Sequence, residues 1–133
     1  MNFSLKRKAH LRLGRRGESL SCLLLESKGM VILARNFKTV FGELDIVARD
    51  GGVIVFTEVK TLRRVGHYRP VDNYKKNQMR RNIRAAHEYI RLIDGYDLPV
   101  RYDFIEVVLP KIGFMEIYHY INFIHNASMR EYR

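Results

Sequence analysis

The chain has 133 residues, 47% hydrophobic and 29% charged, a composition typical of one folded domain that excludes a disordered or fibrous protein. It carries 24 Lys and Arg against 14 Asp and Glu, and the formal charge of +10 predicts a surface that attracts polyanions. Nucleic acid is therefore the first candidate partner, although charge alone does not distinguish DNA, RNA and anionic lipid.

The amino-terminal residues 1–10 are basic and predict a flexible tail on a single domain that spans residues 1–133. Apolar runs reach only about six residues, whereas a bilayer span needs roughly 20, so we expect no membrane partner. The run LSCLLL is too short for a signal sequence. Together with a single cysteine, Cys22, these features favour a cytoplasmic protein and argue against disulfides and against a zinc site of the usual kind.

A helix and two strands are predicted first. Apolar positions from Leu11 to Lys28 follow a helical stripe, and Gly29 can adopt the left-handed conformation that ends a helix. The β-rich segments Met30 to Phe37 and Glu43 to Arg49 predict two strands. The second strand carries Leu44, Ile46 and Ala48 on one face and Glu43, Asp45 and Val47 on the other.

A hairpin should connect the second strand to a third. The turn is Asp50-Gly51-Gly52, because glycine tolerates the positive φ that tight turns require, and the third strand runs from Val53 to Lys60. Side chains alternate along a strand, so Glu58 and Lys60 point to the same face.

One long helix and two strands are predicted in the rest of the chain. Residues 61–71 lack a clear period and predict a loop, and Asp72 to Ile93 predicts a basic amphipathic helix with Asp72 as its N-cap. Arg101 to Leu109 and Phe114 to Ile121 predict strands, followed by an ambiguous tail. The fold class is therefore α/β.

Asp45, Glu58 and Lys60 are the candidate catalytic residues. Carboxylate oxygens hold hard divalent cations, and a lysine can position water or offset charge on a phosphate. The trio therefore predicts a magnesium site that hydrolyses phosphodiester bonds. Two simpler interpretations stay open, namely a solvated sheet face and an ordinary ion pair between Glu58 and Lys60.

Several short motifs give the chain a family resemblance. They are Leu13-Gly14-Arg15-Arg16-Gly17-Glu18, Ile32-Leu33-Ala34-Arg35-Asn36, Gly42-Glu43-Leu44-Asp45 and Glu58-Val59-Lys60, with weaker matches at Ala85-Ala86 and from Arg101-Tyr102-Asp103-Phe104 to His125-Asn126-Ala127. With the element order, they make residues 11–127 resemble the YraN family of the PD-(D/E)XK nuclease superfamily, whose fold is similar to that of Holliday-junction resolvases.

The resemblance implies a restriction-endonuclease-like core, with a mixed central β-sheet flanked by helices in the order αβββαβ. It implies that Asp45 and Glu58 bind Mg²⁺, for which Mn²⁺ can substitute, and that Glu18 and the Val59 carbonyl add ligands. Lys60 would orient or help to deprotonate the attacking water. The implied catalytic residues are Glu18, Asp45, Glu58 and Lys60, and the implied cut leaves a 5′-phosphate.

A further set of residues is predicted to bind nucleic acid, mostly through backbone phosphates and without sequence preference. These residues are Arg63, Arg64, Lys75, Lys76, Gln78, Arg80, Arg81 and Arg84. A solvated helix face is the alternative for each basic residue. Gln78 is included because relatives of this fold place a lysine or glutamine near the site.

The first functional hypothesis is thus a metal-dependent endonuclease that prefers DNA to RNA, with branched DNA as the substrate class by analogy. The same analogy suggests that the protein forms a homodimer, because resolvases cut two strands as dimers. The alternative is a non-catalytic nucleic-acid-binding module with the same fold. An RNA-associated protein is a third, weaker hypothesis.

Overall fold

The computed structural model describes residues 3–64, 74 and 76–124, and it shows an α/β protein with one mixed five-stranded sheet and two helices. The elements in chain order are α1 (Phe3–Ser27), β1 (Val31–Thr39), β2 (Gly42–Asp50), β3 (Val53–Leu62), α2 (Lys76–Ile93), β4 (Val100–Val108) and β5 (Glu116–Tyr120). This order confirms the predicted αβββαβ arrangement, and β5 corresponds to the last predicted strand, Phe114 to Ile121. It is consistent with a restriction-endonuclease-like core.

The strands lie in the sheet in their chain order. Pairs β1–β2, β2–β3 and β4–β5 are antiparallel, whereas β3 and β4 are parallel and α2 provides the crossover between them. The turn between β2 and β3 is the predicted Asp50-Gly51-Gly52, with Gly51 at a φ of 59°.

Each helix covers one face of the sheet. α1 contributes Cys22 and Leu25 to a core with Val55 and Val59 of β3, and α2 contributes Ile83 to a core with Phe56 on the opposite face. The alternation predicted along the third strand is therefore confirmed, with Glu58 and Lys60 on the α2 side. Glu58 accepts hydrogen bonds from Gln78 and Asn82 of α2.

Several predicted boundaries differ from the structure. α1 begins at Phe3 rather than Leu11, so the tail predicted for residues 1–10 is wrong for residues 3–10, which extend the helix with exposed side chains where these are described. β3 extends to Leu62, beyond its predicted end at Lys60. The described part of α2 begins at Lys76, and the predicted cap Asp72 lies outside the described residues.

The two faces predicted for the second strand are also partly wrong. Leu44 belongs to the core under α2, whereas Ile46 belongs to the core under α1. Strict alternation would place both on one face, so the strand changes its facing around Asp45. β1 is irregular beside it, since its register shifts between Ile32 and Ala34 and Asn36 has a φ of 51°.

A buried polar cluster joins the sheet to the end of α1. The Asp103 carboxylate accepts hydrogen bonds from His119 Nε2 at 2.8 Å and Arg101 Nε at 3.0 Å, and His119 Nδ1 lies 2.7 Å from Lys28 Nζ. Burial opposes ionisation, but the bonds from His119 and Arg101 and one from the Asn122 N–H hold the pKa of Asp103 below its usual value. This cluster ties β4 and β5 to the residue after α1.

Candidate active site

Asp45 lies where β2 and β3 separate. The paired register between these strands ends at Ile46 and Thr57, which leaves the Val59 N–H without a β2 carbonyl. Asp45 Oδ2 accepts a hydrogen bond from this N–H at 2.9 Å. The Asp45 side chain therefore takes the place of the next backbone acceptor in the ladder.

The surroundings of Asp45 favour its protonated form. Burial, followed by the charges of Glu58 and Glu18, raises the pKa of Asp45 to about 8, although the Val59 hydrogen bond and Lys60 act in the opposite direction. An added positive charge would instead stabilise the ionised form of this carboxyl group, so the surroundings of Asp45 favour a cation electrostatically.

Glu58 is held by donors from two elements. Lys60 Nζ lies 3.3 Å from Glu58 Oε1 on the same face of β3. From α2, Gln78 Nε2 donates to Oε1 and Asn82 Nδ2 donates to Oε2, both at 3.1 Å. Asn82 also contacts the hydroxyl of Tyr74, whose pKa is raised by burial and then by the Glu58 charge. Both carboxylate oxygens are thus fixed in orientation.

A small cavity connects the two strand carboxylates. Its volume is about 20 Å³, and Asp45, Glu58, Tyr74 and Asn82 are among its lining residues. Such a volume holds about one water molecule, which requires two to four polar partners. The two carboxylates and the Asn82 amide supply them.

Glu18 approaches the same region from the other face of the sheet. Gly17 brings α1 against β3, and the Glu18 carboxylate accepts a hydrogen bond from the Asn36 side chain. Burial raises the pKa of Glu18, and Glu43 and Glu58 add to this effect. Among the described residues, Glu18 Oε2 is one of three buried side-chain polar atoms without a hydrogen-bond partner.

The three carboxylates interact through charge but do not form a closed cage. Glu18 lies in a groove of about 470 Å³ with Asn36 and Glu43, whereas Asp45 and Glu58 line the cavity under α2. Within residues 3–64, 74 and 76–124, no group of three or more His, Cys, Asp or Glu side chains is arranged to hold a metal ion. Coordination by Glu18, Asp45, Glu58 and the Val59 carbonyl therefore stays a prediction.

The donor set nevertheless suits a hard divalent cation. Its atoms are carboxylate oxygens, one of them buried and without a partner among the described residues, and burial together with their mutual repulsion raises the pKa of Asp45 and Glu18.

The predicted nucleic-acid-binding residues divide into two groups. Lys76, Arg80, Arg81 and Arg84 are exposed along α2, as the amphipathic pattern predicts. Arg63 lies instead beside Arg12 and Arg16 of α1, and its guanidinium donates to the Leu109 carbonyl at 3.3 Å. Arg64 is exposed near Pro110, and Lys75 lies outside the described residues.

Sequence analysis missed the residues that orient the carboxylates. Asn82, Tyr74 and Asn36 were not predicted as site residues. Gln78 was predicted to bind nucleic acid near the site, and its amide donates to Glu58. The spacing of Gln78 and Asn82, four residues apart on a helix that follows the Glu-Val-Lys strand, is the one signal that could have indicated them.

These features define an α/β protein whose core is consistent with that of restriction endonucleases, with an acidic pair and a lysine on the central strands. The profile of the uncharacterised protein family UPF0102 matches residues 17–107, and the chain belongs to this family, which is the YraN family.

Three relatives illustrate the match. The chain is 41% identical over 97 residues to a UPF0102 protein of Oleidesulfovibrio alaskensis, covering 73% of this chain and 48% of that protein. It is 40% identical over 102 residues to a UPF0102 protein of Thermotoga neapolitana, covering 77% and 92%. For a UPF0102 protein of Dictyoglomus turgidum, the identity is 33% over 101 residues, covering 76% and 86%. The chain thus spans about half the length of the first protein and most of the others.

Neither helix in the described part of the chain combines the length and the apolar character needed to cross a membrane.

Proposed function

We propose that this protein is a metal-dependent DNA endonuclease of the PD-(D/E)XK type that hydrolyses phosphodiester bonds, with branched DNA as its substrate class. The observation that supports this proposal best is the convergence of Asp45, Glu58 and Lys60 at the point where β2 and β3 separate. A solvated sheet face is a poor alternative, because the Glu58 side chain is only 11% exposed, makes three polar contacts and lines a cavity with Asp45.

Each residue has a role that its surroundings support. Asp45 and Glu58, with Glu18 and the Val59 carbonyl, would hold Mg²⁺ or Mn²⁺. The ion, when bound, would stabilise the negative charge that develops on the phosphate. Lys60 is 43% exposed at its side chain, so its ammonium can leave Glu58 and orient the attacking water.

The basic surface would position the substrate. Lys76, Arg80, Arg81 and Arg84 are exposed on α2, the helix that also supplies Gln78 and Asn82 to Glu58. Backbone phosphates bound along this helix would therefore lie next to the carboxylates. A homodimer, which would allow paired cuts in a junction, belongs to the same proposal.

The proposal is tested by cleavage of linear, flapped and four-way DNA in Mg²⁺, Mn²⁺ or EDTA. We expect cleavage only with metal, and a decrease of about a hundredfold or more in Lys60→Ala. Lys111→Ala is the matched control, since Lys111 is an exposed lysine in the segment between β4 and β5. Equal cleavage by the parent and Lys60→Ala would show that the activity arises from another site.

The contacts of Glu58 make a second prediction. Replacing Asn82 by Ala removes a donor from Glu58 Oε2 and from Tyr74. Residues that orient metal ligands typically contribute 10–100-fold to metal affinity, so we expect about that loss for Mn²⁺, measured by calorimetry. Asn77→Ala, at an exposed asparagine of the same helix, should bind Mn²⁺ like the parent. Unchanged Mn²⁺ affinity in Asn82→Ala would contradict the assignment of Glu58 as a metal ligand.

A non-catalytic DNA-binding module is the second candidate. It is favoured by the absence of a three-residue metal cluster in the described part of the chain. It predicts DNA binding that is insensitive to Mg²⁺ and Mn²⁺ and no cleavage of any of the three substrates. RNA competition at fixed salt would identify an RNA-associated protein, because salt controls the electrostatic share of affinity.

A further inference from the structure

An apolar groove lies beside the tip of the β1–β2 hairpin, away from the carboxylates. Its volume is about 620 Å³, within the range of small-ligand sites. It is lined by Phe41, Arg84, His87, Glu88, Ile90, Arg91 and Tyr96. None of these residues orients Asp45 or Glu58, so the groove has no role in the site described above.

Two aromatic rings of the groove are available to a ligand. Phe41 is 41% exposed at the hairpin tip, and Tyr96 is 68% exposed in the turn after α2. The Arg84 guanidinium carbon lies 5.9 Å from the centre of the Phe41 ring. Exposed aromatic rings with a cation at one face are the usual platform on which proteins stack nucleobases.

The charge of the groove suits an anionic polymer. Its one carboxylate, Glu88, is bonded to both Arg91 Nε at 3.0 Å and Arg91 Nη2 at 2.5 Å, so this pair is neutral. Arg84 remains as a positive charge within the groove. Arg80 and Arg81 are exposed on the adjacent turn of α2 and extend the positive surface towards the carboxylates.

We propose that this groove binds an unpaired nucleobase of a DNA strand, with Phe41 and Tyr96 as stacking surfaces and Arg84 as a phosphate contact. The inference rests on the proposed function only in taking nucleic acid as the ligand. It narrows the substrate class to DNA with a single-stranded segment, such as a flap or a frayed branch, because a base in a duplex exposes no face.

The distance between the groove and the carboxylates can be estimated from the chain. Phe41 lies in the turn immediately before β2 and four residues before Asp45, which is about 13 Å at the rise of an extended strand. Gly42 lies against α2, where a Cβ would be 3.6 Å from Arg81 Cβ. The stacked base would therefore lie on the order of 13 Å from Asp45, measured along the chain.

The test is fluorescence anisotropy of the full chain in EDTA with a labelled oligothymidylate and with a blunt duplex of the same length. Phe41→Ala and Tyr96→Ala should each weaken oligothymidylate binding by about 5- to 100-fold and leave duplex binding unchanged. Tyr96→Phe, which keeps the ring, should bind like the parent. The matched control is Phe114→Ala, an equally apolar and 95% exposed ring near the opposite edge of the sheet.

Salt titration separates stacking from charge. Arg84→Gln should reduce the slope of log affinity against log salt by about 0.7 for single-stranded DNA, whereas both aromatic variants should keep the parent slope. Equal weakening of single-stranded and duplex binding, or no weakening, would overturn the inference. So would a change in molecular mass of the aromatic variants by light scattering, which would assign the groove to contact with a second copy.

The two proposals fail in different ways. If the parent protein binds oligothymidylate through these rings but cleaves no DNA, the nucleobase-binding site is supported and the nuclease proposal is contradicted. If the parent cleaves flapped DNA, and Phe41→Ala and Tyr96→Ala bind and cleave it equally well, the nuclease proposal is supported and the nucleobase-binding site is contradicted.

Discussion

Replacing Asp45 by Asn should abolish cleavage and at the same time make the metal-free protein more stable. The Asn amide is neutral and nearly the same size as the carboxyl group, and its oxygen can still accept the Val59 hydrogen bond. The substitution removes the cost of burying a charge and the repulsion from Glu58, which together raise the pKa of Asp45. We expect cleavage to decrease by about a thousandfold or more. The free energy of unfolding at pH 9 should increase by about 2 kcal/mol or more.

The pH dependence has a defined sign. The folded state binds the Asp45 proton with a pKa of about 8, raised from the ordinary value of 3.8. The stabilising contribution of this group is complete below about pH 4, decreases as the pH rises, and is lost as the pH passes about 8. In EDTA, urea unfolding of the parent should therefore lose stability between pH 5 and pH 9 relative to Asp45→Asn.

Two comparisons make this result specific. Asp97→Asn changes an exposed carboxylate in the turn before β4 and should follow the parent at every pH. Mg²⁺ or Mn²⁺ should raise the melting temperature of the parent at pH 8 and leave Asp45→Asn unaffected, because a bound ion stabilises the folded state by mass action. An Asp45→Asn protein that is less stable than the parent at pH 9 would show that the carboxylate is not strained by its surroundings.

Replacing Gly17 by Ala should be the most damaging small change in α1. A Cβ at this position would lie 2.8 Å from both Cβ and Cγ2 of Thr61, so the helix and β3 would have to separate. Overpacking of this kind costs about 1–3 kcal/mol, which urea unfolding would measure. Because Glu18 is the next residue, the displaced helix should also weaken Mn²⁺ binding.

Gly14 offers a matched control in the same helix. A Cβ there would meet nothing within 4 Å, so Gly14→Ala should stabilise the protein by up to about 1 kcal/mol through helix propensity. Opposite signs for the two substitutions would show that contact with Thr61, rather than loss of glycine, is responsible. Stabilisation by both would mean that α1 does not approach β3 as closely as described.

The elements that sequence analysis predicted correctly are those fixed by local pattern. Alternation over Val53 to Lys60 placed Glu58 and Lys60 together on one face, and the Asp50-Gly51-Gly52 turn fixed the hairpin that precedes them. These features depend on residues close in sequence, and so the strand pattern was sufficient to find them.

The rest of the site depends on contacts between distant segments. Asn82 lies 24 residues from Glu58, and the pairing of Asn36 with Glu18 joins β1 to α1. The change of facing at Asp45 arises where β2 leaves β3, and alternation predicted no such change. The helical start at Phe3 was missed because residues 4–10 are mostly basic or polar and make no continuous apolar stripe.

The separation of β2 from β3 has a consequence for how this protein could lose activity. Asp45 Oδ2 accepts the hydrogen bond of the Val59 N–H, so only Oδ1 is left for the proposed metal ion. Some substitutions could extend the β2–β3 pairing beyond Ile46 and Thr57. The Val59 N–H would then donate to a backbone carbonyl of β2, and the Asp45 side chain would turn away from the site. A descendant could therefore become inert through better strand pairing alone, with Glu58 and Lys60 still in place.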